Sequence, residues 1–160
     1  SWAQVENQYQ RRADLIPNLV NTVKGAADFE QQTLTDVIEA RSKASSIQVS
    51  AGDLNDPQKV QQFQQAQQQL SGALSRLLVT VEKYPELKAN QNFRDLQVQL
   101  EGTENRISTE RQRFNESVQS YNTTVQRFPS NVFAGLFGFG KKAFFEADEG
   151  ASEAPEVNFN

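Results

Sequence analysis

The chain of 160 residues contains no Cys and no His. Without Cys there are no disulfides, no zinc–thiolate sites and no thiol nucleophiles. Without His the commonest metal ligand and the commonest general base at neutral pH are missing. Pro and Gly are scarce, five and eight in all, and most sit at segment ends, which favours long uninterrupted helices. No run of about 18 apolar residues occurs, so these residues contain no transmembrane helix. A strong charge of either sign is also missing from the body. Residues 1–128 carry 14 basic and 15 acidic side chains, net −1, whereas residues 129–160 carry 2 and 5, net −3. Nucleic-acid binding needs a basic stripe, and there is none, so no nucleic-acid partner is expected.

What remains is polar and helical in pattern. Hydrophobic residues make up 37% of the chain and charged ones 22%, with Gln filling much of the rest, as expected of a thin rod with a narrow core. A chain of this length buries about two-thirds of its unfolded surface and folds as one domain without a staple. The first segment, about residues 2–46, carries the stripe Val5, Tyr9, Ile16, Leu19, Val23, Ala26, Leu34, Val37 and Ala44 in steps of three and four. Pro17 removes an amide donor and crowds the preceding turn. A kink is expected there rather than a hairpin, because Leu15, Ile16, Leu19 and Val20 are too apolar for an exposed turn. Residues 51–57 read as a linker that ends in Asp56-Pro57, a helix start.

A second helix, 57–84, buries Val60, Phe63, Leu70, Leu74, Leu77 and Val81. Its Gln61–Gln69 run reads as a solvated face. Tyr84-Pro85 closes it. The third, 90–128, is the most regular: Phe93, Leu96, Leu100, Thr103, Ile107, Arg111, Phe114, Val118, Tyr121, Val125 and Phe128 form a heptad-like seam. The expected fold is therefore all-α, an antiparallel up-and-down bundle of long helices with a short Phe/Gly-rich C-terminal segment. The bundle domain spans 1–145, and residues 146–160 form an acidic tail read as disordered.

The chemistry available is thin. Glu101 and Glu104 share a helix face, but carboxylate-bridged metal sites also draw on Glu-x-x-His pairs. Surface carboxylates facing Arg are the simpler reading, and no metal, cofactor or catalytic residue is expected. Gly135 to Lys142 lacks the spacing and the preceding strand of a phosphate loop. Polar residues on or near the inward seams, among them Arg12, Asp14, Glu30, Arg41, Arg106 and Arg111, either pair between helices to fix register or form a polar ligand or partner patch. If the first segment is one helix, a level count pairs Glu30 with Arg106 or Arg111, and Arg41 with Glu110 or another carboxylate of the third segment. It also leaves residues 1–16 unsupported. Phe133, Phe137 and Phe139 with Lys141 and Lys142 form a second candidate patch, for a membrane surface or a partner, unless these Phe cap the bundle core.

Several blocks occur together in order. They are residues 5–20 (VENQYQRRADLIPNLV), 84–90 (YPELKAN), 100–107 (LEGTENRI) and Arg111 through Phe114-Asn115 to Tyr121-Asn122, with Phe128-Pro129, Gly138-Phe139 and Phe145-Glu146 at the end. This sequence closely resembles the LemA family of bacterial proteins over about residues 2–146. Asp28 or Phe29 stands where the family often has His, and Phe114 where it often has Tyr. The resemblance implies a helical bundle held to the bacterial cell membrane by one N-terminal membrane helix, with the domain on the extracytoplasmic side. It implies no enzyme activity and no defined catalytic residues. The chain opens at Ser1 rather than at an initiator Met, so we expect an anchor or signal upstream of these residues. The function expected is a membrane-tethered interaction or scaffold module that binds another envelope protein. The alternative is a ligand-sensing or membrane-surface-sensing bundle.

Overall fold

A computed structural model describes residues 1–126 of the chain, with side chains to residue 123. The described residues form five helices: α1 (Trp2–Lys24), α2 (Gln31–Ser46), α3 (Pro57–Val81), a single turn α4 (Pro85–Lys88) and α5 (Gln91–Gln126). A 3-10 turn, Ala51–Asn55, precedes α3. The four long helices run up, down, up and down. Arg41 on α2 reaches Ala13 on α1, and Trp2 reaches Val49 just past α2. Trp2 also touches Phe63 in the first two turns of α3 and Phe114 two-thirds of the way along α5. Lengthwise, α1 lies closest to α5, and α2 to α3.

The all-α up-and-down bundle agrees with the heptad spacing, but the first segment is two helices, not one. α1 passes through Pro17 without ending, and the chain reverses between residues 25 and 30. Pro17 has no N–H to close the turn onto the carbonyl oxygen of Ala13, four residues earlier. Arg41 supplies that bond instead: its Nε–H donates to the Ala13 oxygen at 2.8 Å. The proline thus sits exposed on the outer face while a neighbouring helix satisfies the carbonyl it orphans. The reversal follows Gly25 and uses Asp28 at φ 60°, a left-handed conformation that Asp tolerates better than most residues. Phe29 stacks on Tyr84 at 4.8 Å, and the Tyr84 hydroxyl donates to the Asp28 carbonyl, so the turn is pinned to the end of α3.

Local signals account for the other ends. Asp56 caps α3 by accepting from the Gln58 and Lys59 amides, with Pro57 in the first helical position. Ser1 and Gln4 form a capping box on α1. Asn90 Oδ1 accepts from the Phe93 amide as α5 begins.

The interior has two apolar parts. At the turn end, α1, α2, α3 and α5 pack Ile16, Leu19, Val23, Leu34, Val37, Leu70, Leu74, Leu77, Leu96 and Leu100 together. At the other end, Trp2, Val5, Tyr9, Val60, Phe63, Ile107, Phe114 and Val118 join Val49 and Leu54 of the linker. α2 is only 16 residues long and ends at Ser46. At that end the linker lies where the fourth helix would be.

Candidate functional site

Between the two apolar parts lies a layer of buried polar side chains. Arg12 occupies a core position of α1, in the series Val5, Tyr9, Arg12, Ile16, Leu19, and is 1% exposed. Its Nη1 donates to Glu104 Oε1 of α5 at 2.8 Å and to Ser71 Oγ of α3 at 2.6 Å. Its Nη2 donates to the backbone oxygen of Gln67 at 3.0 Å and to Gln67 Oε1 at 2.7 Å. The guanidinium also lies 5.3 Å from the centre of the Tyr9 ring, a cation–π distance. Three helices therefore converge on one cation, and the Glu104 that pairs with it is itself buried. Arg12 Nε is buried without a protein partner.

A buried ion pair contributes little net stability, because desolvation offsets most of the attraction. Removing one partner is different, since it strands a charge in the core at a cost of about 3–5 kcal/mol. Pairing fits only one alignment of α1, α3 and α5, so the layer penalises every other register. Tyr9 extends it. Burial raises the Tyr9 pKa, opposed by the positive charges of Arg111 and Arg12 and by a hydrogen bond with Arg111. The layer holds a strong hydrogen-bonded cation. Four of the Arg12 donor contacts go to protein atoms, which directs its charge inward.

The seam residues named from the sequence are distributed as follows. Arg12 is the centre of the layer, and Arg111, half-buried, reaches it through Tyr9. Arg41 bonds the Ala13 carbonyl, so the acidic partner expected for it on the third segment gives way to a backbone oxygen. Asp14 is exposed and accepts from Gln10 within α1. Glu30 is exposed at the start of α2, at the turn end of the bundle, and Arg106 is exposed on α5. Pairing Glu30 with Arg106 or Arg111 requires an unbroken first segment; the reversal at 25–30 carries Glu30 to the level of Tyr84 instead. The same reversal gives residues 2–16 neighbours along their whole length. Glu101 and Glu104 separate in environment: Glu104 is buried against Arg12, not a surface carboxylate, while Glu101 is half-buried and its pKa is raised by that burial. Phe133, Phe137, Phe139, Lys141 and Lys142 lie outside the described residues.

Gln67 and Ser71 are members of the layer that the residue pattern does not announce. The Gln run of α3 is exposed at Gln61, Gln62, Gln65, Gln68 and Gln69, as a solvated face requires, but Gln64 and Gln67 are buried. The signal for Gln67 lies in the spacing: 60, 63, 67, 70, 74 is an unbroken three-four series, and Gln67 is its only polar member.

Two clefts open at the end where α2 falls short. One, of about 310 Å³, lies between α1, the linker and α3, and its walls include Asn7, Tyr9, Gln48 and Gln67. The other, of about 520 Å³, lies between the start of α1, the 3-10 turn and α5.

The model of the LemA family matches residues 1–159 of the chain. The chain belongs to the LemA family. It is 27% identical to Protein LemA of Metamycoplasma hominis over 140 residues, which is 88% of this chain and 59% of that protein. It is 29% identical over 85 residues to Magnetosome protein MamQ 2 of Paramagnetospirillum magneticum and to Magnetosome protein MamQ of Magnetospirillum gryphiswaldense, covering 53% of this chain and 31% of each of those proteins. The chain thus spans well under two-thirds of the curated relatives it matches. Among the described residues of this LemA-family bundle, no helix is long and apolar enough to cross a membrane.

Proposed function

We propose that this chain is the non-enzymatic interaction module of a membrane-tethered envelope protein. An N-terminal membrane helix ahead of these residues would hold it on the extracytoplasmic side of the bacterial cell membrane, and it would bind another envelope protein. Family membership supports the tether. The observation that carries the module reading is the direction of its polar chemistry. The strongest buried group, Arg12, is bonded inward to three protein side chains, whereas α3 presents a row of exposed Gln along the outside. Amide-rich helix faces form hydrogen bonds with a partner and lose little on exposure without one. The ends of the bundle fit a tether as well: the start of α1 and the later turns of α5 lie together, so a single attachment fixes which end faces the membrane.

A photo-crosslinking amino acid placed at Gln61, Gln65, Gln68 or Gln69 of the full-length protein in its own membranes tests this. Discrete adducts with one envelope protein at neighbouring positions are expected. A protein that stays out of the membrane fraction, or that gives no adduct from any exposed helix face, would overturn the reading.

A second reading, a ligand-sensing bundle, is favoured by the cleft that reaches Tyr9 and Gln67. A small polar ligand there would touch the central layer directly. Screening polar metabolites by thermal shift on the intact chain and on Gln67→Leu tests it, and the absence of any Gln67-dependent shift discards it.

A further inference from the structure

The smaller cleft has walls of two kinds. Val49, Phe63 and Leu70 supply an apolar part, while amides and one carboxylate, Glu6, supply a polar part. No Lys or Arg side chain lines it. Its volume of about 310 Å³ falls at the lower end for small-molecule sites, which run from about 300 to 1,000 Å³.

The polar groups are already sorted into donors and acceptors. Gln67 is 8% exposed, and its Oε1 is taken by Arg12 at 2.7 Å. That leaves its amide N–H as the group it can offer to the cleft, and a buried donor needs an acceptor. Gln10 is the converse. Its Nε2 donates to Asp14 Oδ1 at 2.8 Å, which leaves its Oε1 as an acceptor. Glu6 stands one turn before Gln10 on the same face of α1. Among the described residues no Lys or Arg pairs with Glu6, and burial alone raises its pKa. The cleft therefore offers one donor at its inner end, level with Arg12, and two acceptors at its lip.

An anion would meet the Glu6 carboxylate with no cation to compensate, so these walls reject it. A bare cation would leave the Gln67 donor unanswered. A ligand that answers both carries an ammonium at one end and a carbonyl oxygen at the other, with an aliphatic part for Val49, Phe63 and Leu70. The height agrees. Glu6 precedes Arg12 by six residues of α1, an axial rise of about 9 Å. In an α-amino acid the ammonium nitrogen and the carbonyl oxygen lie about 3 Å apart. A hydrogen bond of about 2.9 Å at each end extends that to the same height.

We propose that this cleft binds the α-ammonium and carbonyl groups of an aliphatic amino acid, free or at the start of a peptide. The ammonium sits on Glu6 and Gln10, and the carbonyl oxygen accepts from Gln67. This rests on the ligand-sensing reading and adds the class of ligand to it. Gln67 also holds Arg12, so an occupied cleft acts directly on the layer that aligns α1, α3 and α5.

NMR titration of the intact, ¹⁵N-labelled chain with L-leucine and with leucylglycine tests the proposal. The side-chain amide signals of Gln67 should shift and saturate, and the tighter of the two probes tells a free amino acid from a peptide end. N-acetyl-L-leucine, which lacks the ammonium, should bind at least tenfold more weakly. Glu6→Gln, at an exposed position, should weaken leucine severalfold with the melting temperature unchanged. Ser45→Phe places a ring in the cleft from another exposed position and should abolish the shift while the rest of the spectrum stays folded. Equal binding of leucine and its N-acetyl form, or an affinity untouched by Glu6→Gln, would overturn the proposal. A Gln67 shift with sorbitol or acetate but not with leucine would overturn this ligand class and leave the ligand-sensing reading standing. No shift with any of these probes would overturn both.

Discussion

The two halves of this bundle reach a packed core by different means. At the turn end all four long helices are present, and the filling is aliphatic: Leu, Val, Ile and Ala in rows, with Phe93 the single aromatic residue of the buried cluster. At the other end α2 is missing, and Trp2, Tyr9, Phe63 and Phe114 carry the packing together with Val49 and Leu54 from the linker. Where helices surround the core on every side, interdigitated aliphatic side chains fill it. Where one wall is a loop, larger flat rings bridge the gap by edge-to-face contact, and even so two clefts remain. The Arg12 layer is the border. It belongs to neither half, and it is where three helices are held in one alignment.

The largest expected effect breaks that border. Arg12→Ala strands Glu104 in the core and should cost about 3–5 kcal/mol in urea unfolding. A loss below about 1 kcal/mol would mean that water already solvates the pair. Next, one substitution made in both halves sharpens the contrast. Leu74→Ala and Leu54→Ala remove the same atoms from fully buried sites, and each should cost about 2–5 kcal/mol. Leu54 lines a cleft whose walls can relax, so its loss should be the smaller by about 1 kcal/mol or more. Equal losses would show that the aromatic half is as tightly packed as the aliphatic one.

A smaller effect concerns Pro17. Arg41→Ala leaves the Ala13 carbonyl without its charged donor and should cost about 1.5–3 kcal/mol. In a Pro17→Ala background the residue-17 amide closes that turn itself, so the same Arg41 change should cost about 1 kcal/mol less. Identical costs in both backgrounds would separate Arg41 from Pro17. The smallest effect is seen at high pH. The folded Tyr9 pKa lies above its unfolded value near 10, so the folded state holds the phenolic proton more tightly. That contribution is complete below about pH 10 and is lost as pH rises towards the folded pKa. Tyr9→Phe should flatten the alkaline fall in melting temperature, and an unchanged slope would assign the fall to other groups.

Much of this fold is readable in the residues. The three-four spacing of Phe93, Leu96, Leu100, Ile107, Phe114 and Val118 places all six in the core, where they lie, and Asp56-Pro57 marks the start of α3. The reversal at 25–30 is not legible, because Pro17 is the louder local signal and its cure is non-local. Arg41, 24 residues further on, bonds the carbonyl that the proline leaves open. With the turn misplaced, the heights expected for Glu30 and Arg41 are wrong, and so are the partners expected for them. Arg12 stands out as a charge on an apolar stripe. Gln67 and Ser71 do not, because a polar residue inside or beside a Gln-rich run looks like surface unless its place in the series is counted.

The most direct test of a register-setting polar layer is a double-mutant cycle on Arg12 and Glu104, read by urea unfolding. Arg12→Met and Glu104→Leu should each destabilise strongly alone, while the double variant recovers most of the loss and gives a coupling energy of about 2 kcal/mol or more. Simple additivity of the two losses would contradict the claim that these groups act as one buried pair.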